Sequence, residues 1–169
     1  SYVRLAKGLE AIEIIIKDAT NGKLVDSDML LPTYVYGATF TWDSALPSII
    51  DDEGVYTQQN DDTPVSFDLV GKCGDNSTSK SYTFTAKGYS KEEKLAYILE
   101  EGSLANVAGK TVSTSIVLPA YDGKFNAALS YVSSKPEIMD NTGKLVAAPE
   151  VATEVEFTVT VNYEFVKTH

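Results

Sequence analysis

One cysteine, one histidine and one tryptophan stand among 169 residues, and each scarcity closes off some chemistry. Cys73 has no partner for an intramolecular disulfide, so the fold must rest on its core. With no base beside it in the sequence, it reads as a structural free thiol. The single histidine is His169, the last residue given, which in practice removes Ser-His, Cys-His and histidine-ligated metal chemistry. No apolar stretch, Ile14 to Ile16 included, approaches the ~18 residues of a membrane helix. No signal-peptide pattern opens the chain, and Ser1 fits either removal of an initiator Met or a processed leader. Basic residues are outnumbered, 14 Lys and Arg against 24 Asp and Glu, for a formal charge of −10. Such a surface repels phosphate backbones and anionic bilayers, so neither specific nucleic-acid binding nor membrane attachment is expected.

The remaining chemical signals are thin. Gly71-Lys72-Cys73-Gly74 lacks the spacing of a phosphate loop. Asp26 with Asp28, the run Asp51-Asp52-Glu53 and the pair Asp61-Asp62 offer oxygen ligands for calcium, but none has EF-hand spacing. The expectation is therefore a protein without cofactor or bound metal, and not an enzyme.

What the sequence does contain is alternation. Residues 155 to 166, VEFTVTVNYEFV, place Val155, Phe157, Val159, Val161, Tyr163 and Phe165 on one face of a strand. Glu156, Thr158, Thr160, Asn162 and Glu164 fall on the other. Such a run would span about 40 Å at about 3.4 Å per residue, roughly twice the usual strand. Residues 34 to 42, 65 to 72, 81 to 87, 111 to 118 and 125 to 132 read as further strands. Within 34 to 42, Gly37 marks a bulge, and Tyr34, Tyr36, Phe40 and Trp42 share one face. That face fits either a sugar-stacking platform or, by preference, the core. Residues 9 to 17 admit a helix, with Leu9, Ile12 and Ile16 at helical spacing. The isoleucines and the Asn21-Gly22 turn signal favour a strand hairpin across Glu10 to Val25.

One helix is expected, over 90 to 102. Ser90 and Glu93 form a capping box, Leu95, Ile98 and Leu99 an apolar stripe, and Gly102 the stop. The tetrapeptide Gly-Lys-Leu-Val at 22 to 25 and 143 to 146 suggests two turns of similar need rather than a duplication, and no repeat of 20 to 50 residues is visible. The predicted architecture is a single mainly β domain over 1 to 169, an antiparallel sandwich or half-barrel with one flanking helix.

The capped helix after YTFTAKG, the closing strand EVEFTVTVNYEF and the acidic stretch 51 to 72 together resemble the major tail, or tail-tube, proteins of bacteriophages. The resemblance implies subunits that join edge to edge into rings, stack into a tube within a virion assembled in the host cytoplasm, and let DNA pass without binding it. It would place Glu156, Thr158, Thr160, Asn162 and Glu164 on an acidic lumen. Asp51, Asp52, Glu53, Asp61 and Asp62 would sit in loops that reach the next ring. The rival reading is a surface-exposed sandwich, such as a pilus subunit or a carbohydrate-binding adhesin, for which strand edges also serve.

Overall fold

The computed structural model describes residues 1 to 164; Phe165, Val166 and His169, named above, lie outside the described residues. The chain is mainly β, with antiparallel sheets as expected, but it divides into two compact units, Ser1–Tyr89 and the residues from Ser90 onward, rather than one sandwich.

The first unit opens with a helix where a hairpin was expected. α1 (Tyr2–Ile15) is capped by Ser1, whose hydroxyl accepts the Arg4 N–H. Leu5, Gly8, Ile12 and Ile16 are buried while Ile14 and Ile15 are exposed. The apolar residues thus follow a 3.6-residue period, and burial of that stripe overrides the β-propensity of the isoleucines. α2 (Lys17–Thr20) follows, and Asn21-Gly22 ends it instead of turning a hairpin. Gly22 takes φ +97°, its N–H donates to Ala19 O, and Lys23 N–H donates to Asp18 O at 3.0 Å, the Schellman arrangement. A positive-φ glycine serves a helix stop as well as a hairpin, which is why the dipeptide misled.

The stretch from 34 to 42 is itself a hairpin. β1 (Tyr34–Val35) and β2 (Ala38–Ser44) pair across Tyr36-Gly37, both at positive φ, as a two-residue turn requires. Tyr34 and Tyr36 are therefore exposed at the turn, whereas Phe40 and Trp42 enter the core. The four aromatics do not share one face. β3 (Thr63–Cys73) and β4 (Asn76–Ala86) complete an antiparallel sheet in the order β1-β2-β3-β4. Val65, Phe67 and Leu69 of β3 and Tyr82, Phe84 and Ala86 of β4 point inward, all buried. Trp42, Phe67, Tyr82 and Phe84 interlock, with ring centroids 5.4 to 6.4 Å apart.

Over β4 lies Glu13 of α1, which accepts hydrogen bonds from Lys80 and from Tyr82 Oη, the latter at 2.8 Å. The Lys80 bond first, then that of Tyr82, holds the Glu13 carboxyl below its ordinary value. The folded state therefore binds this proton less tightly than the unfolded chain. The stability is present above the ordinary glutamate value, about 4.3, and is lost as pH falls through the lower folded value. Both side chains are well exposed, so the contribution is under about 1 kcal/mol. Urea midpoints measured from pH 7 to pH 3 should fall more steeply for the native chain than for Glu13→Gln; parallel curves would refute the assignment.

The second unit opens with the expected helix. In α3 (Lys91–Glu100) both bonds of the capping box form, Glu93 N–H to Ser90 Oγ and Ser90 N–H to Glu93 Oε1. Ile98 is buried, while Leu95 and Leu99 remain exposed. Residues 111 to 118 form no strand. β5 (Tyr121–Asp122), β6 (Ala127–Ser133) and β7 (Phe157–Asn162) form a sheet in that order. β7 is thus half the length read from the sequence, an ordinary strand of six residues.

The two units repeat one another. Residues 22–34 recur as 109–121, with Gly, Lys, Val, Leu, Pro and Tyr in the same places, and 38–57 recur as 127–146. The hydrogen bonds recur with them. Ser44 N–H donates to Asp52 Oδ1 and Ser133 N–H to Asn141 Oδ1, each at 2.8 Å. Tyr56 N–H donates to Asp28 Oδ1 and Leu145 N–H to Ser115 Oγ, each at 2.9 Å. Met29 N–H donates to Gly54 O and Ile116 N–H to Gly143 O, each at 2.8 Å. Trp42 Nε1 donates to Pro32 O, and Tyr131 Oη to Pro119 O. The two Gly-Lys-Leu-Val stretches are not the equivalent ones: Gly22 matches Gly109, and Gly143 matches Gly54.

Candidate functional site

The repeat breaks at one element. In the first unit β3 lies between β2 and β4; in the second its counterpart β7 pairs with β6 alone among the described residues. The register makes Phe157 the counterpart of Phe67 and Val159 that of Leu69, since Ser133 faces Phe157 as Ser44 faces Phe67. Ser134 N–H donates to Glu156 O on the β6 side, as Ala45 N–H does to Ser66 O. Strand alternation then sends the N–H and C=O of Phe157, Val159 and Val161 to the opposite, open edge.

The side chains tell the same story. Val65, Phe67 and Leu69 are buried, but Val155, Phe157 and Val159 are only half-buried. Beneath them runs a cavity of about 740 Å³, walled by Leu99, Leu118, Tyr131, Ile138, Phe157 and Val159 among others. Tyr131 and Phe157 meet edge to face at 6.5 Å, the counterpart of Trp42 against Phe67 at 6.0 Å. In the first unit β4 adds Tyr82 and Phe84 to the corresponding pair. Burial pushes the Tyr131 phenol up, so it stays a hydrogen-bond donor to Pro119 O.

A second backbone position of the first unit bonds to that strand. Val25 N–H donates to Thr85 O, and Lys87 N–H donates to Val25 O, a parallel bridge onto the end of β4. Val25 is 7 % exposed; its counterpart Val112, on the rim of the cavity, is 47 % exposed.

The residues singled out from the sequence fall into two sets. Glu156, Thr158, Thr160 and Asn162 do occupy the exposed face of β7, and Glu164 lies exposed in the turn beyond it, its N–H on Asn162 Oδ1. The matching face of β3 is occupied by cross-strand hydroxyls of β4, with Ser66 on Thr83 at 3.0 Å and Ser81 donating to Asp68 at 2.6 Å. The acidic loop residues belong to the first unit and organise its own turns. Asp51 Oδ1 accepts the N–H of Glu53 and of Val55, Asp52 caps Ser44, and Asp62 Oδ1 accepts the Gly88 N–H at 2.8 Å. Asp61 accepts the Thr63 hydroxyl through its carbonyl, and Glu53 is exposed. In the second unit Asp140 Oδ1 accepts the Thr142 hydroxyl and N–H, and these bonds hold its carboxyl below the usual range.

Val112, Leu118 and Tyr131 were not picked out as site residues. The signal that would have found them is the pattern Gly-Lys…Val…Leu-Pro…Tyr at 22–34 and 109–121. Among the described residues, no three His, Cys, Asp or Glu side chains converge as a metal requires, and no helix is long and apolar enough to cross a membrane. The chain matches no protein-family model and no curated protein.

Proposed function

We propose that this chain is a structural subunit that assembles through its strand edges. The observation that supports it is the outer edge of β7, which no strand among the described residues covers and which stands beside a half-buried apolar face. Monomeric proteins blunt such an edge with charge, proline or a covering element; here the inward residues are Val, Phe and Val. In the form that the tail-tube resemblance suggests, copies of the chain join into rings and a virion tube. The exposed face of β7, Glu156 to Asn162, would then line a lumen through which DNA passes unbound, with other virion proteins at the ends. Six residues are too few for surplus strand length to carry that reading, so it rests on the edge itself.

The groove favours a second form, a surface fibre or pilus subunit joined by strand addition, because an open edge flanked by an apolar trough is what an added strand needs. Negative-stain electron microscopy over a concentration series, with light scattering on the same samples, separates the two. Hollow rings or tubes are expected for the first form and threads one subunit wide for the second. A strictly monomeric chain at every concentration would overturn the assembly reading.

A further inference from the structure

The first unit carries another, smaller groove of its own, of about 200 Å³, between the end of α1 and the segment that follows Gly22. Ile15, Leu24 and Leu30 line it, and all three are exposed. Asp18, Asp26 and Asp28 share the groove with one cation, Lys23. Grouped apolar side chains inside a polar rim mark an interaction surface.

The two copies separate what the fold requires here from what it does not. Gly22, Lys23, Val25, Leu31, Pro32 and Tyr34 recur unchanged in the second copy. Val25 and Leu31 of this set are core residues. Leu24, Asp26 and Asp28 instead become Thr111, Ser113 and Ser115. The change at Asp28 keeps the structural bond, since Tyr56 N–H on Asp28 Oδ1 and Leu145 N–H on Ser115 Oγ are both 2.9 Å long. A hydroxyl therefore serves that turn as well as a carboxylate. Asp18 and Asp26 make no side-chain hydrogen bond or ion pair among the described residues. The Leu24 side chain and the charges of Asp26 and Asp28 are thus surplus to the fold, and they occur together in one copy only.

From this we infer that the groove docks a basic polypeptide segment, one apolar side chain of which enters between Ile15, Leu24 and Leu30 while flanking Lys or Arg side chains pair with Asp18, Asp26 and Asp28. Charge complementarity selects this occupant, because three carboxylates share the groove with a single ammonium group. The volume is below the ~300–1,000 Å³ of pockets for drug-sized molecules, and it suits one branched side chain. A second copy of this chain, at a formal charge of −10, is opposed by the same carboxylates. The inference draws nothing from β7 and so stands apart from the assembly reading.

The test uses the full chain and two labelled synthetic peptides, Lys-Arg-Leu-Leu-Arg-Lys and Lys-Arg-Ser-Ser-Arg-Lys. Fluorescence anisotropy should show saturable one-to-one binding of the leucine peptide and at least about tenfold weaker binding of the serine peptide. The triple variant Leu24→Thr/Asp26→Ser/Asp28→Ser gives the first unit the residues that the second already carries. It should weaken binding of the leucine peptide by at least about tenfold. Should that variant fail to fold, Leu24→Thr alone, which keeps every charge, should still weaken binding several-fold. Asp43→Ser/Asp68→Ser also removes two carboxylates, both exposed on the outer face of the sheet, and should leave binding unchanged. Equal losses in the two multiple variants would mean attraction to overall charge alone and would overturn the inference. Equal binding of both peptides, or no binding, would do the same. So would a smaller oligomer for the triple variant than for the native chain in light scattering, because a second copy would then be the occupant.

Discussion

Truncating Phe67 to alanine is expected to destabilise the first unit by about 3–5 kcal/mol, whereas the equivalent change at Phe157 costs the second unit only about 1–2 kcal/mol. The two phenylalanines occupy the same register position against β2 and β6 respectively. Phe67 is 1 % exposed and touches Trp42 and Phe84. Its removal leaves a cavity that strands paired on both sides cannot collapse to fill. Phe157 is half-buried and already borders a cavity, so its ring gives up part of its transfer energy and little cavity energy. A loss of the first size is a large share of a domain's total stability of about 5–15 kcal/mol. Trp42, the one tryptophan, belongs to the first unit, so its fluorescence in a urea titration follows that unit alone. Hydrogen exchange at β6 follows the second. Equal losses at the two sites would mean that the second core is closed around Phe157 as the first is around Phe67.

How far the sequence could be read depended on whether a local signal had one meaning or two. The Ser90/Glu93 box had one: two reciprocal side-chain to backbone bonds that only a helix start can form, and both are present. The alternations in β3, β4 and β7 were equally plain, because a period of two leaves no competing structure. Asn21-Gly22 had two meanings, since a positive-φ glycine ends a helix as readily as it turns a hairpin. The three isoleucines at 14 to 16 pulled the reading toward a strand, although only Ile16 is buried. That outcome was decided by where the sheet offered a surface to Leu5, Gly8 and Ile12, which no local window contains. The length of the closing strand was misread for a related reason. Alternation shows which face is apolar, but pairing sets where a strand stops, and β6 supplies partners only as far as Asn162. The candidate site was least legible, because it rests on a contrast between two copies that only their strand pairing among the described residues reveals. Identities between the copies are sparse, and three residues separate Tyr34 from Ala38 where five separate Tyr121 from Ala127.

Where the two copies agree, the second large effect should be the same in both. Gly54→Ala and Gly143→Ala are each expected to cost about 3 kcal/mol or more, in contrast to the unequal phenylalanines. Each glycine sits at φ +85°, and a Cβ there would lie 2.3 Å from Met29 O or 2.5 Å from Ile116 O. The obstacle is backbone rather than a movable side chain. The clash falls on the segment whose own N–H donates to that glycine's carbonyl, so relief of one contact breaks the other. Gly22→Ala and Gly109→Ala make the control, since both also have positive φ but nothing within 4 Å of an added Cβ. There only the left-handed strain of about 1–2 kcal/mol remains. Asparagine separates the two causes, because it tolerates the left-handed region yet carries the same Cβ. Gly22→Asn should recover most of the loss of Gly22→Ala, and Gly54→Asn and Gly143→Asn should recover almost none. Recovery at 54 or 143 would show that backbone conformation, and not the close approach of the 29 and 116 carbonyls, fixes these turns. A loss at Gly54 without one at Gly143 would deny that the segments crossing them are the same structural part in both units.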